Sequence, residues 1–158
     1  MEQPCPSTET AKCAAFHTAD YRIRERMAFR FEFDPVNKIL LCRLDGRLTD
    51  ELLPVFYEAS RKHSIATDAS MAIVDFSSVT EFAISTESIR RLAHKEPAMP
   101  NATTRPRIIV APQIHAFGLF RMFQIVGEPK RPLLQVVRSM DEAFAALGVP
   151  SPKFAPLQ

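Results

Sequence analysis

The 158-residue chain has no Trp, four Gly and three Cys, and 20 Lys and Arg stand against 18 Asp and Glu for a formal net charge of +2. Each shortage excludes a class of function. Four Gly leave no GxGxxG and no GxxxxGK[ST], so the backbone has no glycine-rich loop to wrap a dinucleotide or a nucleoside phosphate. GxSxG and HExxH are also missing, and with them the usual signatures of an α/β-hydrolase or a zinc protease. Cys5, Cys13 and Cys42 are odd in number and show no CxxC spacing, which fits neither a disulfide framework nor a zinc ribbon. Unpaired thiols suit a reducing compartment, so a cytoplasmic protein is expected. No run approaches the 18 apolar residues of a membrane span, and the acidic, polar start (Glu2, Ser7, Thr8, Glu9, Thr10) does not resemble a signal peptide. A near-neutral charge argues against a dedicated nucleic-acid binder.

What is present is the balance of a globular protein: 46% hydrophobic and 24% charged residues. At roughly 100–200 residues per domain, the length calls for one domain. Residues 1–26 lack a sustained apolar face and read as a flexible N-terminal extension. Met27 opens the first periodic segment. It reads as the start of the structural domain and as an alternative start of translation, which peptides upstream of it would exclude. The domain is expected over residues 27–149, and 150–158 form a Pro-rich tail, since Pro150, Pro152 and Pro156 cannot continue a helix.

Between these ends the apolar periodicity switches repeatedly. Phe29, Phe31 and Phe33 alternate with Arg30, Glu32 and Asp34, the pattern of a strand with one wet face. Asp34 to Lys38 is turn chemistry, and the nearly continuous apolar run Ile39 to Leu44 predicts a second, more buried strand pairing as a hairpin. Thr49 is placed to cap a helix carrying Leu52, Phe56, Ala59 and His63 on one face. Met71 to Val74 predicts a short strand ending at Asp75, and Ser85 caps a helix with Ile89, Leu92 and Ala93 inward. Arg107 to Ala111 is another buried strand, followed by a helix over Ile114 to Val126. A strand over Leu133 to Val137 and a helix over Met140 to Leu147, closed by Gly148, complete the pattern. The order ββαβαβαβα defines an α/β fold: a mostly parallel mixed sheet with an N-terminal β-hairpin, whose outer strand is an antiparallel edge.

Chemistry-bearing residues are sparse. Cys13 and His17 are two ligands where a metal needs three or four, so no metal site is expected. Cys42 lies inside a strand and reads as a small core hydrophobe. His63, His94 and His115 have no acid or nucleophile beside them, and no catalytic residue or cofactor is expected. Arg22, Arg24, Arg26 and Arg30 form a basic cluster, but Glu25 and Glu32 dilute it and no aromatic platform accompanies it. Two features stand out. The hydroxyl-rich helix start at Ser85 and Thr86 is accounted for by capping, yet its backbone N–H groups would also accept a phosphate. The helix Ile114 to Val126 has more apolar surface than one sheet face needs. Its Phe117, Phe120, Met122 and Phe123 are therefore either covered by neighbours or a surface for a partner or ligand.

The strand order and the passage Asp75-Phe76-Ser77-Ser78-Val79 resemble the STAS superfamily, in which a strand ends in an Asp-hydrophobic-Ser-x-Val pattern. Ala111-Pro112, the run Ala116 to Met122 and the closing run Met140 to Gly148 are similar to the small bacterial SpoIIAA-like, or STAS/SEC14-type, proteins. The resemblance spans about residues 27–149. It implies a SpoIIAA-like fold and a non-enzymatic regulatory module resembling anti-sigma factor antagonists, with a protein partner or a homodimer. It also implies a phosphoacceptor at Ser85, with Thr86 beside it. Where phosphorylation-switched antagonists have Asp-Ser-Ser-Gly, this chain reads Ala83-Ile84-Ser85-Thr86. The alternative is a SEC14-like binder of a small lipophilic ligand, with a pocket between the 114–126 helix and the sheet.

Overall fold

A computed structural model of the chain describes residues 27–158. The 1–26 extension, with Cys5, Cys13, His17 and most of the Arg cluster, lies outside the described residues. Alternation builds β1 (Met27–Asp34), which pairs antiparallel with β2 (Ile39–Thr49) and sets Phe31 opposite Cys42 and Arg30 opposite Arg43. Then follow α1 (Leu52–Thr67), β3 (Met71–Ala83), α2 (Thr86–His94), β4 (Arg107–Val110), α3 (Ile114–Gly127), β5 (Leu134–Val137), α4 (Met140–Leu147) and β6 (Ala155–Pro156). The sheet has six strands in the order β5-β4-β3-β2-β1-β6, with β2 to β5 mutually parallel. The expected mixed sheet and hairpin are present.

Three local expectations are corrected. Thr49 caps nothing: it is the last residue of β2, and the residue preceding α1 is Glu51, whose side chain makes no capping bond. Strand β3 does not end at Asp75 but runs to Ala83, parallel to β2 as far as Thr49. Its register shifts between Arg43 and Asp45 and again between Gly46 and Arg47. These bulges absorb extra residues of β3, so its inward side chains Phe76, Val79 and Phe82 fall three apart. A period of two was therefore broken where the strand was not. Gly46 has φ +88°, which a β-carbon would strain at this bend.

The third correction concerns the Pro-rich tail. Ala155 and Pro156 add a strand outside β1, so the hairpin does not supply the edge. Pro tolerates an edge position because no partner there requires its missing N–H. Leu157 N–H donates to the Phe31 carbonyl at 2.8 Å, Lys153 N–H to Asp34 Oδ2 at 2.9 Å, and Phe154 stacks on Phe144.

The sheet separates two apolar clusters. On one face α1, α2 and α3 pack Leu53, Ile89, Ala93, Phe120 and Phe123 against Leu40, Cys42, Leu44, Phe76 and Ile109. On the other, α4 and the segment after it cover Ile39, Leu41, Ile73, Ile108 and Val110. Fully burying one such Leu, Ile or Phe contributes about 1.5–3 kcal/mol, so both layers hold the sheet firmly.

Candidate functional site

Ser85 stands where β3 gives way to α2, in an extended conformation that ends the strand and starts the helix. Its hydroxyl accepts the Ser88 N–H at 3.1 Å and donates to Ser88 Oγ at 3.0 Å, and Arg91 Nη2 donates to the same Ser88 Oγ at 3.2 Å. Its backbone N–H donates to Asp50 Oδ1 at 2.8 Å. That bond, before the Ser85 and Ser88 hydroxyls and the Arg91 charge, holds the Asp50 carboxyl below its usual range. Asp50 comes from the β2–α1 connection, brought here because β2 and β3 run parallel to their ends. Ser85 and Thr86 are exposed, while Ser88 is buried. An acid thus lies beside the predicted phosphoacceptor, supplied from 35 residues away, a distance at which no local pattern could have shown it.

The second locus is an apolar cavity of about 120 Å³ lined by α1, α2, α3 and the sheet. The predicted surface of α3 divides here. Phe120 (4% exposed) and Phe123 (9%) turn inward and line the cavity, so they form no exposed face for a partner or a second copy. Phe120 stacks on Phe76, and Arg131 lies over the Phe123 ring. Phe117 and Met122 are half-buried against the same core, with Arg138 over the Phe117 ring. The large apolar side chains that α3 does expose are Ile114 (80%) and Ile125 (64%).

Although nearly all its walls are apolar, the cavity is bordered by Tyr57, Ser60, Ser64, Arg107 and Arg131, and no carboxylate lines it. Arg131 is fully engaged: its guanidinium donates to the carbonyls of Ala93 at 2.7 Å, Lys95 at 2.9 Å and Leu92 at 3.3 Å, capping the electronegative end of α2. Gly127 permits this, since a β-carbon there would lie 3.3 Å from Arg131 Nη1. Arg107 differs. It opens β4 and shares the inward parity of Ile109, yet its Nε and Nη2 are buried and have no hydrogen-bond partner, like Ser60 Oγ. None of the ion pairs among the described residues includes it. Burial, reinforced by the Arg131 charge and only partly offset by Tyr57, pushes the Arg107 guanidinium down to about 10. Leaving a buried polar group without a hydrogen-bond partner costs about 1–3 kcal/mol.

The remaining candidates are quiet. Burial, with Asp75 nearby, pushes the Cys42 thiol far above its usual range, so it packs as a hydrophobe. His63 stacks on Phe31 at 4.2 Å, and burial followed by the Lys62 charge lowers its imidazole. His94 and His115 are exposed. Among the described residues no three His, Cys, Asp or Glu side chains converge to hold a metal, and no helix is long and apolar enough to cross a membrane.

No family model matches the chain, and no curated protein does. Solved structures do. The anti-sigma factor antagonist SpoIIAA in its unphosphorylated form is 13% identical with a TM-score of 0.52, and the match covers 78% of this chain and 100% of SpoIIAA. An anti-sigma factor antagonist from Mycobacterium paratuberculosis is 14% identical over 78% of this chain and 96% of its own, with a TM-score of 0.49. The likeness shows the fold: the chain has the SpoIIAA-like α/β fold that the sequence led us to expect.

Proposed function

We propose that the chain is a non-enzymatic regulatory module that binds a protein partner through the surface around Ser85. The observation that carries this reading is the exposed Ser85 cap, joined to Asp50 and, through Ser88, to Arg91 at one end of the β2–β3 pair. The fold likeness to SpoIIAA, described as an anti-sigma factor antagonist, supports it. In this reading the module works in the cytoplasm, and Ser85, with Thr86 beside it, is the phosphoacceptor. A phosphate on Ser85 gains from the helix N-terminus and from Arg91 but faces the Asp50 carboxylate, so it competes for the Ser85 N–H and displaces the β2–α1 connection. Phosphopeptide mapping of native protein, paired with pulldown by wild type and Ser85→Asp, tests this. A modified Ser85 and a partner gained or lost by the variant are expected. An unmodified Ser85 with the same partners in both would remove the switch.

A second reading, a binder of a small lipophilic ligand, is favoured by the cavity beneath α3. Native mass spectrometry of gently purified protein should then show bound apolar mass, and a clean apo mass would count against it.

A further inference from the structure

The cavity holds an asymmetry that hydrophobicity alone does not explain. A site for a purely apolar guest needs no cation, yet two guanidinium groups border this one and no acid does. Arg131 is occupied by three carbonyls that end α2, so it has a structural task and contributes only its positive field. Arg107 has no such task on its Nε and Nη2 edge. These two N–H groups point the same way along one side of the guanidinium, the fork that pairs both oxygens of a carboxylate side by side. Ser60 Oγ, a third buried group without a partner, borders the same cavity. We infer that the cavity takes a small apolar carboxylate, whose head group pairs with the Arg107 fork and whose ring or short acyl chain fills the space against Phe120, Phe123 and Met99. The inference rests on the lipophilic-ligand reading above and adds the ligand's charge.

Size sets the class. At about 120 Å³ the space is on the scale of the ~150 Å³ cavity that holds one benzene ring, so the guest is a small one, a single ring or a short acyl chain. A phosphate or sulfate fits poorly, because beyond the Arg107 fork and the few hydroxyls at the border its further oxygens and second charge would meet largely apolar walls.

Titration of the full-length protein with benzoate and with benzyl alcohol at neutral pH, read by calorimetry and by NMR shifts of the Met99 methyl, tests the inference. The pair shares its ring and differs in the head group. Benzoate should bind at least about tenfold more tightly than the alcohol. Arg107→Met should abolish that preference while leaving the alcohol's affinity in place, and Arg107→Lys should keep a reduced preference. If the alcohol binds as well as the acid, the carboxylate assignment is overturned and the apolar-ligand reading survives. If neither probe binds, both fall. Because the acid-to-alcohol ratio is measured first on the native chain, a variant that fails to fold does not remove the test.

Discussion

On the sheet face away from α1 to α3, Arg43 sits between Glu32 Oε1 and Asp75 Oδ2, each 3.3 Å away, and Arg30 reaches Asp45 at 3.1 Å. Asp75, only 5% exposed, also accepts the Ser77 N–H and hydroxyl. At the end of β1, Asp34 is 1% exposed and accepts from Val36 N, Asn37 N, Asn37 Nδ2 and Lys153 N. On the opposite face Arg107 is half-buried beside the cavity, and its buried Nε and Nη2 have no partner. Buried charge on the first side is saturated with partners and so serves the fold. On the second, Nε and Nη2 of Arg107 are left without partners, which costs stability.

The comparison breaks most readily at Asp34. It joins the hairpin turn to the C-terminal segment, so Asp34→Ala should lower stability by about 3 kcal/mol, seen as a lower urea midpoint. An unchanged midpoint would mean that the saturated side holds no special share of stability. The acid dependence follows with a definite sign. Burial raises the Asp34 carboxyl, but the hydrogen bonds from Asn37, Lys153 and Val36 outweigh it and hold the group below its usual value. Its contribution is therefore complete above about pH 4, the unfolded value, and is lost as pH falls through the lower folded one. Asp34→Asn should flatten that part of the stability profile, and an identical profile would refute the assignment.

Arg107 should behave in the opposite sense. Arg107→Met replaces a half-buried cation, two of whose buried nitrogens lack partners, with an apolar chain of similar length, and the ligand-free protein should gain about 1–2 kcal/mol. A gain in melting temperature together with a loss of acid preference would mark Arg107 as kept for binding. A loss of stability would place it with Asp34, as part of the fold.

This contrast was only half visible in the sequence. The hairpin, α2, α3 and α4 could be read because their apolar spacing matches strand or helix geometry, and Ser85 and Gly148 end their elements as such residues do. The far halves of β2 and β3 could not, since the bulges at Asp45 and Arg47 break the period that identifies a strand. The C-terminal strand was hidden because its two residues pair with distant Glu32 and Phe33, and the flanking Leu157 and Lys153 bond to Phe31 and Asp34. In the candidate sites, Ser85 was legible through capping chemistry, whereas Asp50 arrives through parallel pairing that no neighbour announces. Arg107 did leave a signal. It shares the parity of Ile109 at the start of a buried strand, and a charge on the inward side of such a strand is the place to look.

The smallest effect belongs to Ser85, which lies at the rim and not in either buried layer. Removing its hydroxyl in Ser85→Ala deletes the cap on Ser88 N–H and should destabilise by about 1 kcal/mol. Ser85→Gly should cost only a few tenths of that scale, because Gly tolerates the cap position through solvation of the freed N–H. Asp caps helices as well as Ser does, so Ser85→Asp should stay close to wild type in melting temperature while placing a charge beside Asp50. That separation gives the partner experiment its force. If Ser85→Asp alters binding while Ser85→Ala, the less stable of the two, does not, the surface responds to charge and not to loosening of α2. If Ser85→Ala alone disturbs binding, Ser85 is a helix cap and nothing more, and the regulated surface must be sought elsewhere on the domain.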